Sequence, residues 1–176
     1  MAKWGRGPSF TVAILGAALL AGCGGGSSTI AANNGSAARR SGSLEYALTT
    51  TKMTFARGEP VPLKFNVKNF GPKTVNVELG PCDWFDTKLT SGSNVVWQKS
   101  VGSGCIAIVK PLSIAPGETK TFSYDWPQTD QQSNQVVAGS YTVKAWFQAA
   151  NATDPTLSIG NQEANEYANS IQITVL

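Results

Sequence analysis

The chain has 176 residues, with 14 Lys and Arg against 11 Asp and Glu, three cysteines and no histidine. Without histidine, Ser-His-Asp and Cys-His catalysis are excluded and the commonest metal ligand is missing. The formal charge of +3 overstates the basicity, because Lys3, Arg6, Arg39 and Arg40 precede Leu44 whereas all 11 acids follow it; the remainder is near neutral, has no basic stripe and is no partner for nucleic acid.

Met1 to Ser9 carries Lys3 and Arg6 and no acid, and the run from Phe10 to Leu20 is apolar. That order is an export signal. The run is shorter than the roughly 20 residues a membrane-spanning helix needs. Leu20-Ala21-Gly22-Cys23 resembles the lipobox of bacterial lipoproteins. The resemblance implies a diacylglyceryl group on the Cys23 thiol and cleavage just before it, so that residues 1–22 are discarded. Acyl chains in that number hold a protein stably at a membrane. Gly24 follows the cysteine, which in a two-membrane bacterium implies the outer membrane. The expected location is therefore outside the cytoplasm, lipid-anchored to the cell membrane or the outer membrane.

Residues 23–43 read as the lipidated cysteine followed by a tether, GGGSSTIAANNGSAARRSGS, which is small, polar and without hydrophobic period. As a flexible coil it would reach about 25 Å. Residues 44–176 have the length of one domain.

Within that domain the apolar period is two. Val61, Leu63, Phe65 and Val67 alternate with polar neighbours, as do Val75, Val77 and Leu79, then Phe122, Tyr124 and Trp126, then Tyr141, Val143, Ala145 and Phe147, and last Ile171, Ile173 and Val175. These are half-buried strands. Turn signals separate them at Gly58-Glu59-Pro60, Gly71-Pro72, Gly80-Pro81, Ser91-Gly92-Ser93-Asn94, Gly102-Ser103-Gly104, Pro116-Gly117 and Gly139. No amphipathic helix is legible. The pattern predicts an all-β, immunoglobulin-like sandwich of seven to nine antiparallel strands, with a closed barrel as the alternative.

Export places the chain in an oxidising compartment, where Cys82 and Cys105 are candidates for a disulfide once Cys23 is taken by lipid. A bridge closing such a loop contributes roughly 3 kcal/mol. A metal site is the poorer reading, since two thiolates cannot fill a tetrahedral zinc shell. No cofactor is expected.

An ordered set of short motifs runs from about Leu48 to Phe147. They are Gly58-Glu59-Pro60-Val61 leading into Leu63 to Asn69, Trp84-Phe85-Asp86, Gly92 with Val96-Trp97, Ile114-Ala115-Pro116-Gly117-Glu118, Phe122 and Trp126, and Gly139-Ser140-Tyr141-Thr142-Val143. In order and spacing this set resembles the BsuPI family, the intracellular proteinase inhibitor domain of bacteria. The resemblance implies an immunoglobulin-like sandwich and a protein-binding, inhibitory role. For an exported chain the target would be an extracytoplasmic serine protease. The rival reading is a structural or adhesive module that binds another envelope protein. The stretch from Asn151 to Glu166 lies beyond the resemblance.

Binding rather than catalysis is the expected activity. Asp83 and Asp86 fall on opposite faces of an extended segment, so they do not form a shared acid-base pair. Two kinds of residue are candidates for protein contact. Trp84 and Trp146 stand out of phase with their neighbours Phe85, Ala145 and Phe147; they are either exposed anchors, or rings that cover the second sheet or pack under a loop. The loops Gly80 to Trp84 and Val101 to Ile106 flank the two cysteines and contribute Asp83, Ser103, Gly104 and Ile106; a bridge would stiffen them and lower the ordering cost of binding. Tyr141, after Gly139-Ser140, resembles a tyrosine corner and so implies a structural role.

Overall fold

A computed structural model of the chain describes residues 35–79, 85–102, 104, 110–147, 149–152 and 169–176. The described residues contain no helix and twelve strand segments, one of them only two residues long. They are β1 (Ser36–Ser41), β2 (Leu44–Thr50), β3 (Thr54–Phe55), β4 (Val61–Asn69), β5 (Val75–Leu79), β6 (Phe85–Ser91), β7 (Asn94–Gln98), β8 (Lys110–Ile114), β9 (Thr119–Trp126), β10 (Gly139–Phe147), β11 (Ala149–Ala152) and β12 (Asn169–Val175).

Strand β4 shows why the alternation becomes a sheet. Val61, Leu63, Phe65 and Val67 are buried and the residues between them are not, as a pleat with one solvated face requires. Pro62 is tolerated in this central strand because β2 ends at Thr50, opposite Leu63, so no partner strand is left waiting for the missing amide. The strands form three sheets, ordered β1-β2-β4-β9, β3-β12-β10-β6-β7 and β11-β5-β8. All pairs are antiparallel except β3 with β12.

The two larger sheets enclose one core that runs from Leu44, Leu48 and Phe65 on one side to Leu89, Val143 and Ile173 on the other. The three-stranded sheet adds Val75, Val77, Leu112 and Ile114 to the same core. Ring contacts tie the layers: Phe85 stands 5.9 Å from Phe65 and 5.9 Å from Phe122, and Trp97 of β7 stacks on Tyr124 of β9 at 5.0 Å. The fold is an all-β sandwich of the immunoglobulin-like kind.

Two expectations change in detail. The number of strands exceeds seven to nine, because β1, β3 and β11 are pieces that the apolar pattern does not mark. The domain also begins before Leu44. Residues 36–41, assigned from sequence to the tether, are strand β1, paired along its whole length with β2 from Ser36 opposite Thr49 to Ser41 opposite Leu44. The reason is local. Gly42-Ser43 makes a two-residue hairpin loop, with φ +54° at Gly42, and brings back a strand whose small side chains carry no apolar alternation.

The registers also define two ends. Ser36, Thr49, Lys64 and Ser123 lie abreast near the end where β1 begins. Phe85 of β6 pairs with Phe147 of β10 at the other end, since β10 starts at Gly139 opposite Val175 and β12 finishes beside Met53 and Phe55.

Candidate functional site

Most of the site residues expected from sequence fall outside the described residues: the lipid-attachment Cys23, the disulfide candidates Cys82 and Cys105, and the contact candidates Asp83, Trp84, Ser103 and Ile106. Gly104 is described and exposed. Trp146 is not the exposed anchor that its phase allowed, because only 5% of its surface is accessible. It stands on the face of β10 opposite Tyr141, Val143 and Ala145, opposite Asp86 of β6 in register, and takes the alternative of a ring buried on the sheet's second face.

The described part of the expected surface is the start of the β7–β8 connection, and it stands on a rigid base. Asp86 is 2% exposed, and its carboxylate accepts four hydrogen bonds. Thr87 N (2.8 Å) and Ser100 N (3.1 Å) donate to Oδ1, while Gln98 Nε2 (2.7 Å) and Ser100 Oγ (2.6 Å) donate to Oδ2. Buried charge is tolerated where hydrogen bonds replace hydration in this way. Lys99 N adds a bond to Thr87 O at 2.9 Å, so residues 98–100 are held against β6 after β7 ends.

A second clamp comes from the long β9–β10 connection. Gln131 N donates to Val96 O at 3.2 Å, Gln98 N donates to Gln131 Oε1 at 2.9 Å, and Gln131 Nε2 donates to Val101 O at 2.7 Å. One glutamine thus occupies the outer edge of β7 and fixes Val101, the third residue of the connection, which is itself exposed. That connection is shaped in turn by Asp130, whose carboxylate accepts from the amides of Gln132 and Asn134, and by Gln128, fully buried at φ +59°. Gln128 Nε2 donates to Ala56 O, and its Oε1 accepts from Gly58 N.

The other motif residues serve the frame. Ala56-Arg57-Gly58-Glu59 and Ala115-Pro116-Gly117-Glu118 are the same turn used twice, before the neighbouring strands β4 and β9. In each, the glutamate amide donates to the alanine carbonyl at 3.0 Å, the glycine sits at φ +79° or +77°, and the glutamate carboxylate accepts from the alanine amide at 3.0 or 2.7 Å. A positive φ at the third turn position is what glycine supplies there. Asn69 is fully buried, donating to Lys73 O and Ile114 O and accepting from Gly71 N. Tyr141 OH donates to Val137 O four residues upstream, the geometry of a tyrosine corner.

The two turn glutamates also set an acid dependence. The hydrogen bond from Lys52 holds Glu59 below the ordinary glutamate range, helped by the Ala56 amide; Lys120 and the Ala115 amide do the same for Glu118. A folded value depressed in this way contributes stability above the unfolded value, and the contribution is lost as pH falls through the folded one. The chain is therefore expected to lose stability in acid more steeply than an E59Q/E118Q double variant, as read by urea melts from pH 7 down to pH 3. Parallel curves would dismiss the turns as the source.

The sequence model of the intracellular proteinase inhibitor family, BsuPI, matches residues 48–152. The chain belongs to this family. The match runs from the last three residues of β2 through β11 and so takes in both turns, the Asp86 clamp and the Gln131 clamp. No curated protein matches the chain. Among solved structures it is similar to a β-glucosidase from Listeria innocua, with 13% identity over 76% of this chain and 16% of the glucosidase, at a TM-score of 0.41. A β-glucosidase from Erythrobacter marinus is 12% identical over 77% and 16% of the two chains, at 0.43. The CARDB domain of a Pyrococcus furiosus protein is 13% identical over 70% and 80%, at 0.36. The chain thus spans about a sixth of the length of the glucosidases it matches.

Within the BsuPI chain, the motif residues that sequence singled out divide by role. Glu59, Asn69, Asp86, Glu118 and Tyr141 hold turns and strand ends. The residues that complete the clamps, Gln98, Ser100, Gln128 and Gln131, went unnoticed, because glutamine and serine in loops carry no periodic mark. The one available hint was Asp86 itself, an acid directly beside core Phe85, which had to find donors or remain exposed.

Proposed function

We propose that this BsuPI chain is an exported lipoprotein, anchored through Cys23, whose sandwich binds a protein partner and blocks an extracytoplasmic serine protease with the β7–β8 connection. The observation that carries the reading is the base of that connection. Asp86 and Gln131 fix residues 96–101 by hydrogen bonds, and a loop presented from a fixed base loses little freedom on binding. Membership of a family described by proteinase inhibition supports a protease as the partner. Binding without catalysis fits a chain that has no histidine. Strand β1 shortens the expected tether to the residues between Cys23 and Gly35, with a reach of about 18 Å as a coil. The chain enters the sandwich at Ser36, near the end opposite Phe85 and Phe147.

The test is a titration of the mature chain, purified in detergent, against secreted and subtilisin-type serine proteases while residual activity is followed. Stoichiometric loss of activity with the chain left intact, weakened by V101D, is the expected result. Unchanged activity across the panel, or digestion of the chain, would transfer the assignment to a structural or adhesive envelope module.

A further inference from the structure

Sheet edges are normally guarded, because a row of unpaired amides and carbonyls invites pairing with another chain. Most of the edges here are. Strand β7 has a register shift opposite Leu89 and Thr90 and is covered by Gln131. Strand β1 carries Arg39 and Arg40, β3 has two residues, β11 has four and a bulge, and β8 is five residues long with Pro111 in it. Strand β9 is different. Among the described residues it ends its sheet and is the longest edge strand, running eight residues in unbroken register with β4; it contains neither proline nor glycine, and its charges are confined to Lys120 and Asp125.

The direction of its edge follows from the hydrogen bonds. Asn69 N donates to Glu118 O, so alternation along β4 turns the backbone groups of Val67, Phe65, Leu63 and Val61 toward β9. Their register partners Lys120, Phe122, Tyr124 and Trp126 point back, and the backbone groups of Thr119, Thr121, Ser123 and Asp125 point outward. All four of these residues are exposed.

We propose that the β9 edge joins a second copy of this chain, antiparallel, about a two-fold axis through Phe122. This inference is independent of the protease reading. The register follows from counting. Centred on Phe122, Thr119 faces Asp125 of the second copy, Thr121 faces Ser123, and the same pairs recur on the other side of the axis. All four outward residues of each copy are used, giving eight backbone hydrogen bonds by the antiparallel pattern. Centring on Ser123 uses only three. The side chains agree: Lys120 faces Tyr124, Phe122 faces Phe122, hydroxyl faces hydroxyl, and no two like charges are opposed. The two four-stranded sheets become one continuous sheet of eight strands.

The test uses the full chain in its membrane and in detergent. Phe122→Cys places two cysteines at a non-hydrogen-bonded pair, where Cα atoms stand roughly 4.5 Å apart. It is expected to give at least tenfold more disulfide-linked dimer on a non-reducing gel than Ser123→Cys, with the wild-type chain as baseline. Light scattering in detergent should give two copies per particle for the wild type and one for Thr121→Pro, whose lost amide points outward and leaves the monomer's ladder whole. Thermal unfolding of Thr121→Pro within a few degrees of wild type checks that the fold survives. A one-copy mass for the wild type overturns the proposal. So does linking by Ser123→Cys but not Phe122→Cys, or linking of Phe122→Cys to a different polypeptide.

Discussion

Replacing Asp86 with alanine is expected to lower the unfolding free energy by about 3 kcal/mol, the scale for stripping a buried charged acceptor from several donors. The carboxylate satisfies Thr87 N, Ser100 N, Ser100 Oγ and Gln98 Nε2 in a position that water barely reaches. Without it, at least the two backbone amides lose their recorded acceptor, and residues 98–100 keep only the Lys99 bond to Thr87 O and the Gln131 clamp. Asp86→Asn should fall between the two, because the amide keeps one acceptor oxygen but turns a donor toward other donors. Urea melts at neutral pH measure this directly. A loss under 1 kcal/mol for the alanine variant would mean that the network is incidental to the fold. If the β7–β8 connection is the contact surface, the same variant should also weaken partner binding, because the loop would then be ordered only on association.

The oxidised chain is expected to be more stable than Cys82→Ser or Cys105→Ser by about 3 kcal/mol, the loop-closure value for a bridge of this span. Both cysteines lie outside the described residues, and the expectation rests on the strands that flank them in sequence. Leu79 and Lys110 are register partners of β5 and β8; Cys82 follows the first by three residues and Cys105 precedes the second by five. Partnered strand residues stand roughly 5 Å apart, and connections of three and five residues easily span the separation a disulfide requires. Two measurements bear on it: thiol titration of the unfolded chain before and after reduction, and urea melts with and without reductant. Two free thiols in the unreduced chain beyond Cys23, or melts that coincide, would dismiss the bridge.

How far the fold could be read in advance depended on whether a residue's partners were near in sequence. Strands β4, β5, β9, β10 and β12 were legible because alternation is a local consequence of the pleat. The same local logic misled at the start of the domain. Ser41-Gly42-Ser43 and Ser91-Gly92-Ser93 make the same two-residue hairpin loop, with φ near +55° at both glycines. Only the second was readable as a turn, because apolar residues flank it and small polar ones precede the first. Strand β1 forms because β2 offers its edge; Ala37 packs against the core, and Arg40 pairs with Glu45 and lies over Phe70, contacts that leave no apolar alternation.

The contact surface followed the same rule. Trp146 was ambiguous in phase, and its burial was decided by what lies over the second face of β10. Asp86 was visible as an acid beside the core, but its donors at Gln98 and Ser100 arrive only when β7 folds back on β6, and Gln131 arrives from more than thirty residues further along. By itself the sequence determined an all-β domain, its principal strands, its main turns and its family, since each is recorded in spacing along the chain. Which strand edge stays unpaired among the described residues, which aromatic is covered and which polar side chains clamp the β7–β8 connection were decided by tertiary structure alone, because hydrogen bonds between distant segments leave no periodic trace in the residues that make them.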